Sequence, residues 1–549
     1  MTDRKTTLAA RPGTRREGRI LAAWLVLICT PMAGGLLSSA RADGLPDKHV
    51  DRSLYPKAYG VLADEHLMFP VDMADWPVKI TTERQLFVDD YLIASCSKLT
   101  RRLHAPKRHP ANPVLRIREK PWEHSFGHSV FVLRDKRTGT FRMWYNLRHR
   151  IPGEGGVMYR GPMCYAESTD GLRWTKPNLG IHKFGNDKNN NITLPQGTIE
   201  GLFHEPDDPD PNRRYKALVW HDPKDQKAYA PREGFYLYGS PDGIHWQGDN
   251  QRCIIPNGQG GNFPDQLCSG VGDTTHFRWD ARLGKYVANV KILFRRPSTL
   301  RTVGFCESDD LIHWTRPRMA MHRDGLDEPD TQMYEHITFP YESMWIGLPR
   351  VMHMERTGWK QVEVELSCSR DGRHWTRACR GQRFLPLGAK DSWDADYLIP
   401  GRPGAPFLID GELWFYYWGA RRVDKRDGVK DVRYAMHIGL AKLRRDGFVS
   451  LDADKTPGTV VTRPLTFEGK ALFVNAKVAD DGYLKAGFRS MSAKPLEPYT
   501  LANCKPVTGD HTAGRITWGD KQTIERPPKT SLRLVFELKN AKLYAFWIR

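Results

Sequence analysis

A short phrase of the form Ser-x-Asp-x-x-x-Trp returns four times along this chain at long, nearly even intervals. Its first residues are Ser168, Ser240, Ser308 and Ser369, which lie 61 to 72 residues apart, and an eroded fifth copy stands at 445–448. Each full copy follows an apolar or alternating run that predicts a β-strand, and three carry Asp-Gly, which favours a tight turn. Sheet units repeated at this period predict a radial array, a β-propeller.

The spacing also predicts the number of blades. Between residues 78 and 453 there is room for five units of about 70 residues, each with the four strands of a propeller blade. Five candidate innermost strands fit this count, and they begin near Ser129, Thr198, Asp273, His336 and Gly404. The alternative is an open sandwich made of similar hairpins.

The two ends of the chain differ from this repeating part. Residues 1–42 combine a basic stretch, an apolar run from Ile20 to Leu37 and the small residues Ala40-Arg41-Ala42, a pattern that predicts a secretory signal peptide and a secreted or periplasmic protein. Residues 43–77 form a lead-in. Residues 455–549 carry short strands and turns, which predict a C-terminal β-sandwich. No later segment is long and apolar enough for a membrane span.

The formal net charge of the 549-residue chain is +19. A basic exported protein can attract an anionic partner such as a uronic or sulfated polysaccharide, and general solubility is the alternative reading of the same charge. The basic residues are scattered and form no nucleic-acid motif, so no nucleic-acid partner is expected. The oligomeric state is left open.

Several segments resemble five-bladed propeller glycosidases of glycoside hydrolase families 32, 43 and 130. These are the repeated phrase, the run His109-Pro-Ala-Asn112-Pro113-Val-Leu115 and the strand Phe141-Arg-Met-Trp-Tyr. The run Gln85-Leu-Phe-Val-Asp89-Asp90-Tyr91 resembles secreted bacterial family 32-like proteins. The resemblance covers about residues 78–549. It implies an all-β chain, a five-bladed propeller followed by a sandwich, that acts on glycans.

The first blade departs from the family 32 pattern. It lacks Asn-Asp-Pro-Asn-Gly and has Trp122-Glu123-His124 in that region. A glycoside hydrolase is the favoured function, with inverting chemistry because no nucleophile motif is present, and a non-catalytic glycan-binding propeller is the alternative. No cofactor is expected, although the resemblance allows a structural cation at the centre. His276 and His353 lack the sequence spacing of metal ligands.

Cleavage of a glycosidic bond needs one carboxyl group to protonate the leaving oxygen and a second to attack or to activate water. Carboxylates near the start of an inner strand are the candidates, because inner strands converge on the propeller axis. The predicted catalytic residues are Asp273, Asp330 and Asp394, followed by Glu335 and Glu123. Glu200 is the corresponding acid of the second blade. Each of these acids could instead bind its own backbone at a strand end.

A second group is predicted to contact the substrate. It consists of Trp393 as a stacking platform, Asp396 beside it, Arg350 for a hydroxyl or sulfate, and His276 and His128. Arg350 could equally form a structural ion pair. The tryptophans of the repeated phrase recur too regularly for substrate contact and are predicted to be core residues.

Overall fold

The structure is a computed structural model that describes residues 76–123, 126–150, 158–222, 233–248, 252–256, 268–294, 300–353, 361–422, 434–525 and 530–549. These residues form strands joined by turns, with single 3-10 turns at Pro121–Glu123 and Pro211–Arg213. Within these ranges no helix has the length and apolarity that crossing a membrane requires. The predicted signal peptide, residues 1–42, lies outside the described residues.

The strands are numbered in chain order. The lead-in strands are β1 (Val78–Lys79), β2 (Gln85–Leu86), β3 (Ile93–Ser97), β4 (Thr100–Leu103) and β5 (Lys107–Arg108). Blade 1 contains β6 (Phe126–Arg134), β7 (Phe141–Arg150), β8 (Met158–Ser168) and β9 (Ile192–Leu194). Blade 2 contains β10 (Thr198–His204), β11 (Tyr215–His221), β12 (Gly234–Ser240), β13 (Gln247–Gly248) and β14 (Ile255–Pro256). Blade 3 contains β15 (Cys268–Val271), β16 (His276–Asp280), β17 (Lys285–Phe294), β18 (Leu300–Ser308) and β19 (Arg318–Met321).

Blade 4 contains β20 (Thr331–Tyr341), β21 (Met344–His353), β22 (Gln361–Val364), β23 (Leu366–Ser369) and β24 (Thr376–Ala378). Blade 5 contains β25 (Tyr397–Pro400), β26 (Phe407–Ile409), β27 (Glu412–Arg422) and β28 (Tyr434–Arg444). The remaining strands are β29 (Val449–Ala453), β30 (Gly458–Thr462), β31 (Leu465–Thr466), β32 (Leu472–Arg489), β33 (Asp510–Arg515) and β34 (Arg533–Ile548).

Five separate antiparallel sheets correspond to the five predicted blades. Each pair of successive blades shares a buried apolar cluster. Phe131 packs with Ile199 between blades 1 and 2, and Trp345 packs with Met321 between blades 4 and 3. A further cluster joins blade 5 back to blade 1 through Trp418. Because the first and last blades share a core, the sheets close a ring, and the five-bladed propeller predicted from the repeats is confirmed.

The ring is closed by a strand from the N-terminal side of the propeller. Strand β5 pairs with β28 as the outermost strand of blade 5, with Arg108 opposite Ala441. Closure by a distant segment ties the first blade to the last. It also leaves blade 5 dependent on a strand of only two residues.

The repeated phrase forms the turn that follows the third long strand of a blade. In the first copy the Ser168 hydroxyl accepts a hydrogen bond from the Gly171 N–H at 2.9 Å, and Asp170 Oδ1 accepts from the N–H groups of Leu172 and Arg173, each at 2.8 Å. Gly171 has φ +72°, a conformation that glycine adopts without cost. Trp174 meets Tyr416 of blade 5 edge to face at 85°. All four tryptophans pack against the apolar clusters between blades, Trp375 as a buried residue and the other three partly buried.

The C-terminal residues form an eight-stranded sheet together with strands from the lead-in. Strand β34 is its centre and pairs with β2, β29, β30 and β32. Strands β3 and β4 join the same sheet through β30 and β29. The pairing therefore groups residues 85–103 with this sheet, although the sequence boundary at residue 78 assigned them to the propeller. The β-sandwich predicted for residues 455–549 stays a prediction.

Candidate functional site

Two glutamates from non-adjacent blades meet at one arginine. Arg402 follows β25 in blade 5; its Nη1 contacts Glu200 of β10 in blade 2 and its Nη2 contacts Glu335 of β20 in blade 4. All three side chains are fully buried. A side chain that reaches blades 2 and 4 from blade 5 must lie where the inner strands converge. This trio therefore marks the propeller axis.

A second arginine completes the axial network. Arg350 of β21 donates from Nη1 to Glu335 Oε2 at 2.6 Å, so each oxygen of Glu335 faces a different guanidinium. Burial alone would lower the pKa of Arg402, but the charges of Glu200 and Glu335 outweigh it and raise the pKa. For Arg350 burial is likewise outweighed, by Tyr397 and Glu335. Both arginines are therefore cations, and the four charges of the network balance.

Tyr334 lies beside this network, and three cationic side chains lie around its ring. It is the bulged residue of β20, between Met333 and Glu335, and is half-buried. Lys291 Nζ lies 5.4 Å from the ring centroid, and the guanidinium carbons of Arg301 and Arg350 lie at 6.0 and 5.0 Å. An aromatic face held among cations can stack on a sugar ring while the cations attract its anionic groups.

Asp273, a predicted catalytic residue, belongs to the same region. It precedes β16, and its carboxylate is ion-paired with Lys291, the lysine that faces Tyr334. Its side chain keeps 21% of its surface exposed, unlike the axial glutamates. Asp273 is thus an accessible acid connected through one lysine to Tyr334, the neighbour of Glu335 in sequence.

Asp330 and Glu335 lie on one hairpin but have different partners. Asp330 immediately precedes β20, and its Oδ1 lies 3.4 Å from Nδ1 of His353 at the end of β21. Glu328 Oε2 lies 3.8 Å from the same nitrogen. The structure therefore brings His353 to the two acids by strand pairing, and sequence spacing did not indicate this cluster. Its imidazole nitrogen and two carboxylates are donor types found among metal ligands.

Asp394 and Trp393 contact blade 5 and the closing strand. Asp394 is 1% exposed; its Oδ2 accepts from Arg108 Nε at 2.6 Å and from the Tyr417 hydroxyl at 3.0 Å. Trp393 stacks on Tyr417 at 5.7 Å and 18°, so that face is covered by protein. Among the described contacts none joins Asp394 to Asp273 or Asp330. Asp396 is exposed, and its backbone N–H donates to Ala420.

Glu123 is buried in the first blade. Its Oε1 accepts from the Tyr145 hydroxyl at 2.8 Å and lies 2.8 Å from Lys176 Nζ. Its Oε2 accepts from the N–H of Glu119 at 3.1 Å. These contacts hold the turn that leads into β6, and among the described contacts none links Glu123 to the axial network.

Of the two histidines predicted to bind substrate, the structure describes the side chain of His276 only. His276 is fully buried, and its Nε2 lies 3.0 Å from the Thr338 carbonyl, so this nitrogen donates the bond and ties blade 3 to blade 4. Burial, together with the charges of Arg402 and Arg278, lowers the pKa of His276 to about 3. His128 lies in β6, and its side chain is outside the described residues.

Arg402 was not among the predicted residues. It stands before Pro403 in a segment without a strand pattern, and its two carboxylate partners are 202 and 67 residues away. A lone arginine with distant partners leaves no local signal. Arg402 thus places a guanidinium at the axis.

Comparison with family models gives no match, and neither does comparison with curated proteins. Among solved structures, an N-acetylgalactosamine deacetylase from F. plautii in complex with blood group B trisaccharide is 14% identical. The match covers 64% of this chain and 97% of the deacetylase, at a TM-score of 0.43. The Bombyx mori GH32 β-fructofuranosidase is 13% identical over 80% of this chain and 95% of its own, at 0.37. A β-1,2-mannobiose phosphorylase from Listeria innocua is 12% identical over 62% and 96%, at 0.39.

Proposed function

We propose that this protein is a glycan-acting propeller enzyme that hydrolyses a glycosidic bond with Glu200 and Glu335 as its paired carboxylates. The observation that carries the proposal is the bridging of these residues by Arg402. Because one planar guanidinium contacts both, the two acids lie close together. Glycosidases of both stereochemical types use such a pair.

The two acids differ in how they are held, which suggests their roles. Glu335 is fixed through both oxygens, by Arg402 and Arg350, and is assigned to activate water or attack the sugar. Glu200 contacts Arg402 through Oε2 and is the second carboxylate of the pair; to protonate the leaving oxygen it must leave this ion pair and take up a proton. Positioning of both groups by the same arginine fixes their geometry before substrate arrives. Asp273 is the accessible acid of the region and is assigned to bind substrate hydroxyls.

The proposed substrate is a poly- or oligosaccharide, with anionic sugars favoured over neutral ones. Tyr334 offers an aromatic face, and Lys291 and Arg301 offer positive charge beside it. Arg301 donates to the neutral side chain of Gln332 at 2.7 Å, so its charge remains available to a uronate or a sulfate.

Export to the periplasm or the medium belongs to the same proposal, because extended glycans are met outside the cytoplasm. It rests on the basic and apolar pattern of residues 1–42. Expression of the full chain followed by mass spectrometry of the secreted form tests it, with a mature N-terminus at Asp43 expected. Retention of the intact chain in the cytoplasm would contradict it.

The activity is tested by reducing-sugar release from neutral, uronic and sulfated glycans. Wild type is compared with Glu335→Gln and Glu200→Gln, which are expected to lose activity by about 10²–10⁴-fold, the usual worth of a general acid or base. The matched control is Glu365→Gln, which breaks a buried Glu–Arg pair with Arg377 in blade 4 but lies outside the axial network. The control is expected to remain active below its melting temperature.

A non-catalytic glycan-binding protein is the second candidate. It is favoured by the complete burial of Glu200 and Glu335 and by their pairing with arginines. A buried ion-pair network of this kind can serve to hold the blades together as well as to react. Retention of wild type on an immobilised glycan without sugar release would support this candidate. Equal sugar release by wild type and both axial variants would place the chemistry elsewhere, with Asp273 the next acid to test.

A further inference from the structure

The cluster of Glu328, Asp330 and His353 stands apart from the axial network. Thr331 at the start of β20 pairs with His353 at the end of β21, which brings the segment before β20 against the histidine. The Thr331 N–H donates to the Glu328 carbonyl at 3.0 Å and closes the turn that carries both acids. His353 is nine-tenths buried, whereas Glu328 is exposed. The cluster thus opens to the surface on the Glu328 side.

Neighbouring ion pairs hold the loop that presents the acids. Arg377 Nη1 lies 2.5 Å from Asp327 Oδ1, and Arg380 binds both oxygens of Asp324 at 2.5 Å each. Arg323 donates to the Pro329 carbonyl. The loop is therefore anchored before Glu328 and again between the two acids, and β20 begins directly after Asp330.

The three donor atoms of the cluster lie near the spacing of a coordination shell. His353 Nδ1 lies 3.4 Å from Asp330 Oδ1 and 3.8 Å from Glu328 Oε2, longer than a good hydrogen bond. When ligands stand about 2.0–2.2 Å from zinc, adjacent ligand atoms are about 3–3.6 Å apart. The three donor atoms all lie within 4.8 Å of one another, and the exposed Glu328 side chain can close the remaining gap.

We propose that Glu328, Asp330 and His353 bind one divalent transition-metal ion of the Zn²⁺ or Mn²⁺ type. An imidazole nitrogen with two carboxylates suits these ions, whereas Ca²⁺ and Mg²⁺ prefer oxygen ligands alone. The two carboxylates balance the charge of the ion. Three protein ligands leave at least one position for water or for an oxygen of a bound molecule.

The position of the site on blade 4 relates it to the axis. His353 lies three residues beyond Arg350 on β21, and at about 3.3 Å per residue this is about 10 Å along the strand. The site is thus on the same strand as Arg350, the partner of Glu335. The proposal does not depend on the hydrolase assignment, because metal binding is measured without a substrate.

The test is isothermal titration calorimetry of the chelator-treated full chain with ZnCl₂, MnCl₂, CaCl₂ and MgCl₂. One Zn²⁺ or Mn²⁺ per chain is expected, bound at least about tenfold more tightly than Ca²⁺ or Mg²⁺. Asp330→Asn and His353→Gln are each expected to weaken binding by about tenfold or more, as loss of metal-site partners does. Glu328→Gln, an exposed position, gives a third variant that does not disturb the core.

The matched control is Asp309→Asn, the same chemical change at an exposed aspartate of blade 3 that faces Lys285 and lies outside this loop. It is expected to bind the metal as wild type does. Absence of Zn²⁺ and Mn²⁺ binding by wild type would overturn the proposal. So would binding that survives in Asp330→Asn and His353→Gln, a loss equally large in the control, or a preference for Ca²⁺ or Mg²⁺.

Discussion

Arg402 contacts Glu335 across the boundary between blades 5 and 4, with both side chains fully buried. The same guanidinium reaches Glu200 in blade 2, so one residue connects three of the five blades at the axis. Buried charges are tolerated only when they are paired, and the loss of one partner leaves the others uncompensated. This dependence leads to the first prediction.

Replacing Arg402 by methionine keeps the volume and removes the charge. Two buried carboxylates then face each other, and only Glu335 keeps a described arginine partner, Arg350. The variant is expected to lose about 3–5 kcal/mol of unfolding free energy. Urea denaturation at pH 7 measures this loss. The combination Arg402→Met, Glu200→Gln and Glu335→Gln is expected to regain much of the stability, because the uncompensated charges are gone. Equal midpoints for wild type and Arg402→Met would contradict the argument.

The blades were predictable from sequence because their turns are built locally. In the turn Ser168–Trp174 every defining hydrogen bond joins residues two or three positions apart. The residues of the phrase therefore determine the turn by themselves, and the same turn forms wherever the phrase occurs. The third copy shows the same turn with Leu311 at φ +66° in place of glycine, where burial of the leucine offsets the backbone cost.

The axial network could not be predicted in the same way. Glu200 and Glu335 were candidates because they lie on inner strands, but Arg402 is 202 residues from one and 67 from the other. Asp394 was predicted to face the axis, yet its partner Arg108 comes from 286 residues away and belongs to the closing strand. Partners of this kind are determined by ring closure, which no local pattern encodes.

The aspartates of the repeated turns are expected to make the stability of the fold sensitive to acid. Burial alone would raise the pKa of Asp170, but hydrogen bonds from the Arg173 and Leu172 N–H groups and from Ser168 lower it from 3.8 to about 2. A carboxyl whose pKa is lower in the folded state stabilises the fold above the unfolded value. That contribution is lost as the pH falls from about 4 to about 2.

Asp170→Asn keeps an oxygen acceptor for the turn but removes the titrating group. We expect a small loss of stability at pH 7 and a shallower decline of stability between pH 4 and pH 2 than in wild type. Thermal unfolding followed by circular dichroism across this range measures both. A decline as steep in the variant as in wild type would show that Asp170 contributes nothing to acid sensitivity.

Tyr334 provides a prediction about glycan binding that follows from the proposed function. Tyr334→Ala removes the aromatic face among Lys291, Arg301 and Arg350 and is expected to weaken retention of an anionic glycan in affinity electrophoresis, by about 1 kcal/mol or more. Tyr334→Phe keeps the ring and is expected to bind nearly as wild type does. Trp279→Ala removes an exposed aromatic that is not part of this group and serves as the control. Equal retention of all four proteins would remove Tyr334 from the binding surface.

Asp394 is expected to act in stability and not in chemistry. Its Oδ2 accepts from Arg108 on β5, and this strand closes the ring through only two register pairs with β28. Asp394→Asn removes a charge-assisted hydrogen bond, which is worth about 1.5–3 kcal/mol, and should therefore lower the urea midpoint while activity per folded molecule stays at the wild-type level. Arg108→Gln removes the other partner and should give a similar loss of stability. The double variant should lose less stability than the sum of the two single losses, because both changes remove the same interaction. An Asp394→Asn protein with unchanged stability and abolished glycan cleavage would instead place this carboxylate at the reacting bond.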